Sequence, residues 1–128
     1  MTIELWSLAL SGLLCLLLPF IYVAIYQKQV GFAGVSGNRD NVPEPTGVAG
    51  RGLRAHRNLQ ENLLPFAVVV LIAHATNLSN RATVFGALLF LGARVVHAAA
   101  YLLGIRGIRT LAYLAGVGGT LSILVQLL

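Results

Sequence analysis

The sequence contains few charged residues. Only 10% of its 128 residues are Asp, Glu, Lys or Arg, and 57% are hydrophobic, whereas about a quarter of an average soluble domain is charged. Too little polar surface remains to cover a water-soluble globule of this size. This composition excludes a disordered chain and an ordinary cytosolic enzyme, and it indicates an integral membrane protein.

Acidic residues and cysteine are also scarce. Four Asp and Glu face nine Lys and Arg, for a formal net charge of +5. In a soluble protein this balance would suggest nucleic acid as a partner. Here the cations form no basic tail and no nucleic-acid-binding motif, so we expect no such partner. Cys15 is the single cysteine, which excludes a disulfide scaffold within one chain.

The sequence contains long apolar segments. A hydrocarbon core about 30 Å thick is crossed by about 20 apolar residues in a helix. Four segments meet this length, at about residues 3–26, 51–76, 82–104 and 108–128. The Gly- and Pro-containing stretch 27–50 has loop composition. The sequence therefore predicts one all-α domain over residues 1–128, an integral membrane four-helix bundle with up-down-up-down topology.

The positions of the Lys and Arg residues predict the orientation of the protein in the membrane. Most of them lie in or beside the connections between helices 1 and 2 and between helices 3 and 4, and the opposite side holds only Arg81. Cytoplasmic loops of membrane proteins carry the excess of Lys and Arg. We expect both of these connections in the cytoplasm and both termini outside, in a bacterial inner membrane or a eukaryotic endomembrane.

Polar residues inside the predicted spans mark a candidate site, because such residues are costly there and usually face a bundle interior or a cavity. They fall on three stripes with helical spacing. The stripes are Arg54, Arg57, Asn58, Glu61 and Pro65 in helix 2; Arg94, His97 and Tyr101 in helix 3; and Arg109, Tyr113 and Thr120 in helix 4, with Thr110 beside it. At a rise of 1.5 Å per residue, the stripes reach one depth near the cytoplasmic interface.

Other interpretations of these residues stay open. Arg51, Arg81 and Arg106 are explained by side chains that extend to lipid headgroups. Arg94 and Glu61 could form a structural ion pair between helices 2 and 3. This interpretation gives no role to the other hydrogen-bond donors of the three stripes.

Zinc is not expected, because the histidines lack a paired ligand spacing. An excess of arginine with one glutamate instead suits a ligand that carries carboxylates and an amine, since arginine binds carboxylates in bidentate fashion and a glutamate receives an ammonium.

The segment RGLRAHRNLQENLLPF at residues 51–66 resembles the signature of the membrane-associated proteins in eicosanoid and glutathione metabolism (MAPEG). The segments GARVVHAAAY at 92–101 and RGIRTLAY at 106–113 agree with it. The family includes microsomal glutathione transferases and the microsomal prostaglandin E synthase. The resemblance implies a homotrimer of four-helix subunits, with glutathione bound between neighbouring subunits near the cytosolic side.

The resemblance also implies roles for individual residues. Glutathione would be bound by Arg57, Asn58, Glu61, His97, Tyr101, Arg109 and Tyr113; Arg109 and Thr110 would be catalytic; Arg54, His56, Arg94 and Lys28 would support them. Arg109 would hold the glutathione thiol as the thiolate, since a nearby cation lowers a thiol pKa from about 8.5 and the thiolate is the nucleophile.

Two departures from the family argue against prostaglandin isomerase activity. Thr110 stands where the prostaglandin synthase has serine, and Lys28 is the one basic residue offered at the end of helix 1.

The expected function is a membrane-bound glutathione transferase that conjugates glutathione to lipophilic electrophiles from the bilayer. The resemblance also allows glutathione-dependent reduction of lipid hydroperoxides. One alternative is a non-catalytic lipid-binding or scaffold protein of the same family. Another is a small proton- or anion-coupled transporter, which ionisable residues in the spans would suit but the lack of inverted repeats opposes. The loop 36–43 has no predicted role beyond turn chemistry.

Overall fold

The computed structural model describes residues 1–128 and contains four α-helices. They are α1 (Ile3–Ser36), α2 (Gly47–Ala75), α3 (Arg81–Leu103) and α4 (Arg106–Leu127). All four are long and apolar enough to cross a membrane. The predicted all-α architecture with four spans is confirmed.

Two helix boundaries differ from the prediction. Helix α1 continues beyond residue 26 to Ser36, and α2 begins at Gly47 instead of residue 51. Glycine and proline content marked 27–50 as a loop, but straight-chain residues such as Lys28 have good helix propensity and extend α1. The extension is bent at Gly31, whose φ of +75° lies in the left-handed region that glycine adopts readily.

Local signals set the ends of α3. The Asn80 side chain accepts hydrogen bonds from the backbone N–H groups of Ala82 (2.8 Å) and Thr83 (3.0 Å). The Thr83 hydroxyl oxygen in turn accepts from the Asn80 N–H at 2.9 Å, which completes a capping box. Gly104 ends the helix with a φ of +77°. Only Gly104 and Ile105 separate α3 from α4, so these two helices form a tight hairpin.

Helices α3 and α4 cross at a pair of glycines. A Cβ added at Gly119 would lie 2.5 Å from the Gly86 carbonyl oxygen and 2.9 Å from the Phe90 nitrogen, and one added at Gly86 would lie 2.6 Å from the Gly119 oxygen. Small residues allow membrane helices to approach backbone to backbone. Beside the crossing, Phe90 stacks on Phe66 of α2 with ring centroids 3.7 Å apart. The crossing and this stack form the bundle core.

We expect Gly119→Ala to destabilise the protein by about 1–3 kcal/mol, because the new methyl group meets backbone atoms that cannot rotate away. The matched control is Gly118→Ala, since a Cβ at Gly118 meets nothing within 4 Å. That control should be neutral or slightly stabilising. Unfolding of both variants in detergent, followed by circular dichroism, checks the difference. Equal midpoints would contradict the close crossing.

A buried carboxylate forms hydrogen bonds between helices at one end of the bundle. Glu4 is 3% exposed and accepts hydrogen bonds from the Ser79 hydroxyl (2.9 Å) and the Thr83 hydroxyl (2.6 Å). Nearby, the Asn80 amide donates to Gln126 at 3.0 Å. These contacts join the start of α1, the α2–α3 turn and the end of α4. No role was predicted for Glu4 from the sequence.

The other end of the bundle is held by the long loop. The Tyr26 hydroxyl donates to the Pro43 carbonyl at 2.6 Å, and the Gln29 side chain makes two hydrogen bonds with the Thr46 backbone, at 3.0 and 3.2 Å. Arg51 of α2 donates to the Leu102 carbonyl near the end of α3. We call this end, with loop 37–46 and the connection 104–105, the basic end.

Candidate functional site

Arg94 lies in the centre of the bundle and is 1% exposed. Its Nη1 donates to the Asn58 side-chain oxygen at 3.1 Å and its Nη2 to the Tyr113 carbonyl at 3.2 Å. The guanidinium carbon lies 5.1 Å from the Phe90 ring centroid. Gly116 supplies the space for this group, since a Cβ there would collide with it. Arg94 therefore links α2, α3 and α4.

The suggested ion pair between Arg94 and Glu61 is wrong. Arg94 binds Asn58 instead, and Glu61 is exposed on the surface of α2. Residues three apart on a helix point about 60° away from each other. That difference is enough to place Asn58 inside the bundle and Glu61 outside it.

Three predicted site residues meet around one aromatic ring. His97 is 3% exposed and packs edge-on against Tyr101, with ring centroids 5.1 Å apart. The Arg109 guanidinium carbon lies 4.5 Å from the Tyr101 ring centroid, within cation–π distance. The stripe of α3 and the arginine of α4 are thus brought together as the sequence predicted.

Arginines from α2 and α4 surround one large cavity at the basic end. The cavity has a volume of about 670 Å³ and is lined by Gly47, Arg51, Arg54, Tyr101, Gly104, Arg106 and Arg109. We call it the basic cavity. Its lining contains four guanidinium groups and no carboxylate. Guanidinium groups bind carboxylates and other anions through paired N–H donors, so this cavity suits an anionic ligand.

Two of these arginines were missed by the sequence reasoning. Arg51 and Arg106 were explained as headgroup contacts, yet both line the basic cavity. A usable signal was present, because each lies three residues before an arginine that was selected, Arg54 and Arg109 respectively. Residues three apart are neighbours on a helix surface, so both members of each pair can line the same cavity.

A second cavity lies between α1 and α2, under the long loop. Its volume is about 190 Å³, and its polar lining is Tyr22, Tyr26, Arg39, Glu44 and Arg57. We call it the loop cavity. It holds side chains of both charge signs, in contrast to the basic cavity.

The predicted stripe of α2 is therefore divided. Arg57 lines the loop cavity, whereas Arg54 lines the basic cavity. His56 sits beside the loop cavity, with its Nδ1 3.3 Å from the Tyr22 hydroxyl oxygen. Within one chain, the three stripes do not form one continuous site.

The remaining predicted residues lie at the surface. Thr110 is exposed, and its hydroxyl lies 3.5 Å from the Arg106 carbonyl oxygen, at the limit of a hydrogen bond. Tyr113 is 38% exposed. Lys28 is also exposed and lines neither cavity.

The fold and the site together define an integral, multi-pass membrane protein with two polar cavities at one end of its bundle. A family model described as the MAPEG family matches residues 3–128, essentially the whole chain, and the chain belongs to this family. Membership supports a membrane function related to glutathione metabolism; the family includes glutathione transferases and also members that are not enzymes. A comparison with curated proteins found no match.

Proposed function

We propose that the protein is a membrane-bound glutathione transferase that conjugates glutathione to lipophilic electrophiles, with reduction of lipid hydroperoxides as a further activity. The observation that carries this proposal is the basic cavity, with Arg109 stacked on Tyr101 at its wall. Glutathione brings two carboxylates, an ammonium and a thiol. Arginines that lack a carboxylate partner in the chain suit both carboxylates and a thiolate.

In the proposed reaction, Arg109 stabilises the glutathione thiolate, and the thiol proton is released to solvent. The sulfur then attacks the electrophilic carbon, a sulfur–carbon bond forms, and the leaving group departs with its electron pair. We assign the hydroxyl of Thr110, the next residue of α4, the role of a second donor to the sulfur. The peptide is held by the other predicted residues, Arg57, Asn58, Glu61, His97, Tyr101 and Tyr113. The protein itself contributes no covalent nucleophile.

We further propose that the active form is a homotrimer. Arg57 and Glu61 are exposed on a single chain, and Glu61 lines neither cavity, although ionisable residues in membrane spans usually face a protein interior or a cavity. A ring of subunits places one face of each protomer against a different face of its neighbour. Such a contact would cover these side chains and join the loop cavity of one subunit to the basic cavity of the next.

The proposed orientation follows from the distribution of cations. Because positive charge marks cytoplasmic loops, the basic end would face the cytoplasm, and both termini would lie on the other side. Glutathione would then enter from the cytoplasm, while electrophiles arrive laterally from the bilayer.

Titration calorimetry of the detergent-purified protein with glutathione, followed by a conjugation assay with chlorodinitrobenzene, tests the proposal. We expect saturable binding and enzymatic conjugation above the spontaneous rate. A protein that binds glutathione but turns over neither electrophiles nor hydroperoxides would be a non-catalytic member of the family. Absence of glutathione binding would overturn the proposal.

A further inference from the structure

A third polar cavity lies at the end of the bundle opposite the basic end. Its volume is about 170 Å³, which is large enough for an ion together with water molecules. Its polar lining is Thr2, Glu4, His74, Asn77 and Ser79. We call it the Glu4 cavity. No Lys or Arg lines it, and it shares no residue with the basic cavity or the loop cavity.

One carboxylate oxygen of Glu4 has no partner. Oε1 accepts the hydrogen bonds from the Ser79 and Thr83 hydroxyls, both of which are neutral groups. Oε2 is buried and has no hydrogen-bond partner. Glu4 lies in the first turn of α1, and the N-terminus of a helix favours a negative charge. A buried charge is costly unless it is paired, so the unused oxygen favours a cation.

The end of α2 forms the opposite wall of the Glu4 cavity. The Leu78 N–H donates to the Ala73 carbonyl at 2.8 Å, and the Asn77 N–H donates to the His74 carbonyl at 3.1 Å. This Schellman motif ends the helix and holds Asn77 at a φ of +56°. The C-terminal end of a helix carries a partial negative charge. The helix end and the Glu4 carboxylate therefore both favour a cation in the cavity.

The groups around the Glu4 cavity suit a monovalent cation. Hard cations prefer oxygen ligands, and Thr2, Asn77 and Ser79 offer neutral oxygens beside the one carboxylate. Calcium takes six to eight oxygen ligands and usually several carboxylates. Zinc takes three or more ligands from His, Cys, Asp and Glu, and no group of three such residues exists in the chain.

We propose that the Glu4 cavity binds one alkali-metal cation such as Na⁺. The Glu4 carboxylate is the charged ligand, and Thr2 and Asn77 contribute neutral oxygens. Asn77 and Ser79 are exposed, so the ion enters from the water at this end of the bundle. The bound ion joins the start of α1 to the end of α2 and stabilises the folded protein. This site is independent of the proposed glutathione site.

Thermal unfolding of the detergent-purified protein tests the site. Circular dichroism compares midpoints in NaCl, KCl and N-methyl-D-glucamine chloride at equal ionic strength, and the common chloride keeps any anion effect of the basic cavity constant. We expect an alkali-metal cation at about ten times its dissociation constant to raise the midpoint by about 4–7 °C over N-methyl-D-glucamine. Radiolabelled sodium should bind saturably, with one ion per chain.

Three variants locate the ion. Glu4→Gln should abolish the cation effect, while its amide oxygen can still accept from the two hydroxyls. Asn77→Gly removes one neutral ligand and keeps the positive φ accessible; it should weaken sodium binding by about 2- to 10-fold, comparable to the loss of one neutral hydrogen bond. Glu44→Gln is the matched control, because it removes an exposed carboxylate at the basic end and should keep the full effect.

Four results would overturn the inference. Equal midpoints of the wild type in all three chlorides would mean that the cavity holds only water. An equal cation effect in the wild type and in Glu4→Gln would place the ion elsewhere. Stabilisation by zinc that His74→Ala removes would define a transition-metal site instead. Should Glu4→Gln fail to fold, an unchanged sodium affinity in Asn77→Gly would reject the site.

Discussion

Arg109→Ala should lower kcat/KM for glutathione conjugation by about 100- to 1000-fold, the usual effect of removing one donor from a developing or stabilised anion. The reason is the position of Arg109 beside Tyr101 in a cavity without carboxylates. Without this cation the glutathione thiol should titrate nearer its ordinary value, about 8.5. Steady-state kinetics with chlorodinitrobenzene between neutral and alkaline pH measure both effects.

The pH profile separates a chemical role from a binding role. In the variant, the rate should keep rising with pH up to about 8.5, as the thiolate forms without assistance, whereas the wild type should reach its plateau at lower pH. Arg106→Ala removes a second arginine from the same cavity and serves as the matched control, with weaker glutathione binding but an unchanged profile. If the rate depends on pH in the same way in the wild type and in Arg109→Ala, Arg109 does not stabilise the thiolate.

Arg94→Ala should destabilise the bundle by about 3–5 kcal/mol. It deletes a large, 1% exposed side chain and leaves a cavity between three helices. It also leaves the Asn58 side-chain oxygen and the Tyr113 carbonyl without their donor, and unsatisfied buried groups add their own cost. Denaturation in mixed detergent micelles, followed by circular dichroism, measures the loss.

Two controls make this result specific. Arg81→Ala removes an exposed arginine and should change the unfolding midpoint little. Gly116→Ala should be destabilising in the wild type, where the Arg94 guanidinium fills the space, but tolerated in the Arg94→Ala background. Additive effects of the two substitutions would show that the guanidinium does not occupy the position described for it, because residues in contact are expected to couple.

The four membrane spans and the polar stripe on each of α2, α3 and α4 could be predicted from the sequence, because both depend on residues that are close together along the chain. The positions of His97, Tyr101 and Arg109 around one site followed from spacing and depth. The division of the α2 stripe between the two cavities could not be predicted in this way. Spacing shows which residues share a helix face, but a face more than 100° wide reaches neighbours on both sides. Whether Arg57 lies beside α1 or α4 depends on tertiary packing.

Contacts between distant parts of the chain were also beyond prediction. Glu4 binds Ser79 and Thr83, which are 75 and 79 residues away, and no local pattern connects them. Arg39 lies in a loop whose composition indicates only a turn. Its position in a cavity wall depends on the return of the loop to Tyr26 and Gln29.

The basic cavity has a consequence for the resting protein. Four guanidinium groups stand around one space that contains no compensating carboxylate, so their mutual repulsion must be relieved by ions drawn from the surroundings. We therefore expect small anions such as chloride or phosphate to bind in the empty cavity and to compete with any anionic ligand. Because the Debye length is only about 8 Å at physiological ionic strength, affinities measured in dilute buffer will overstate those in the cell.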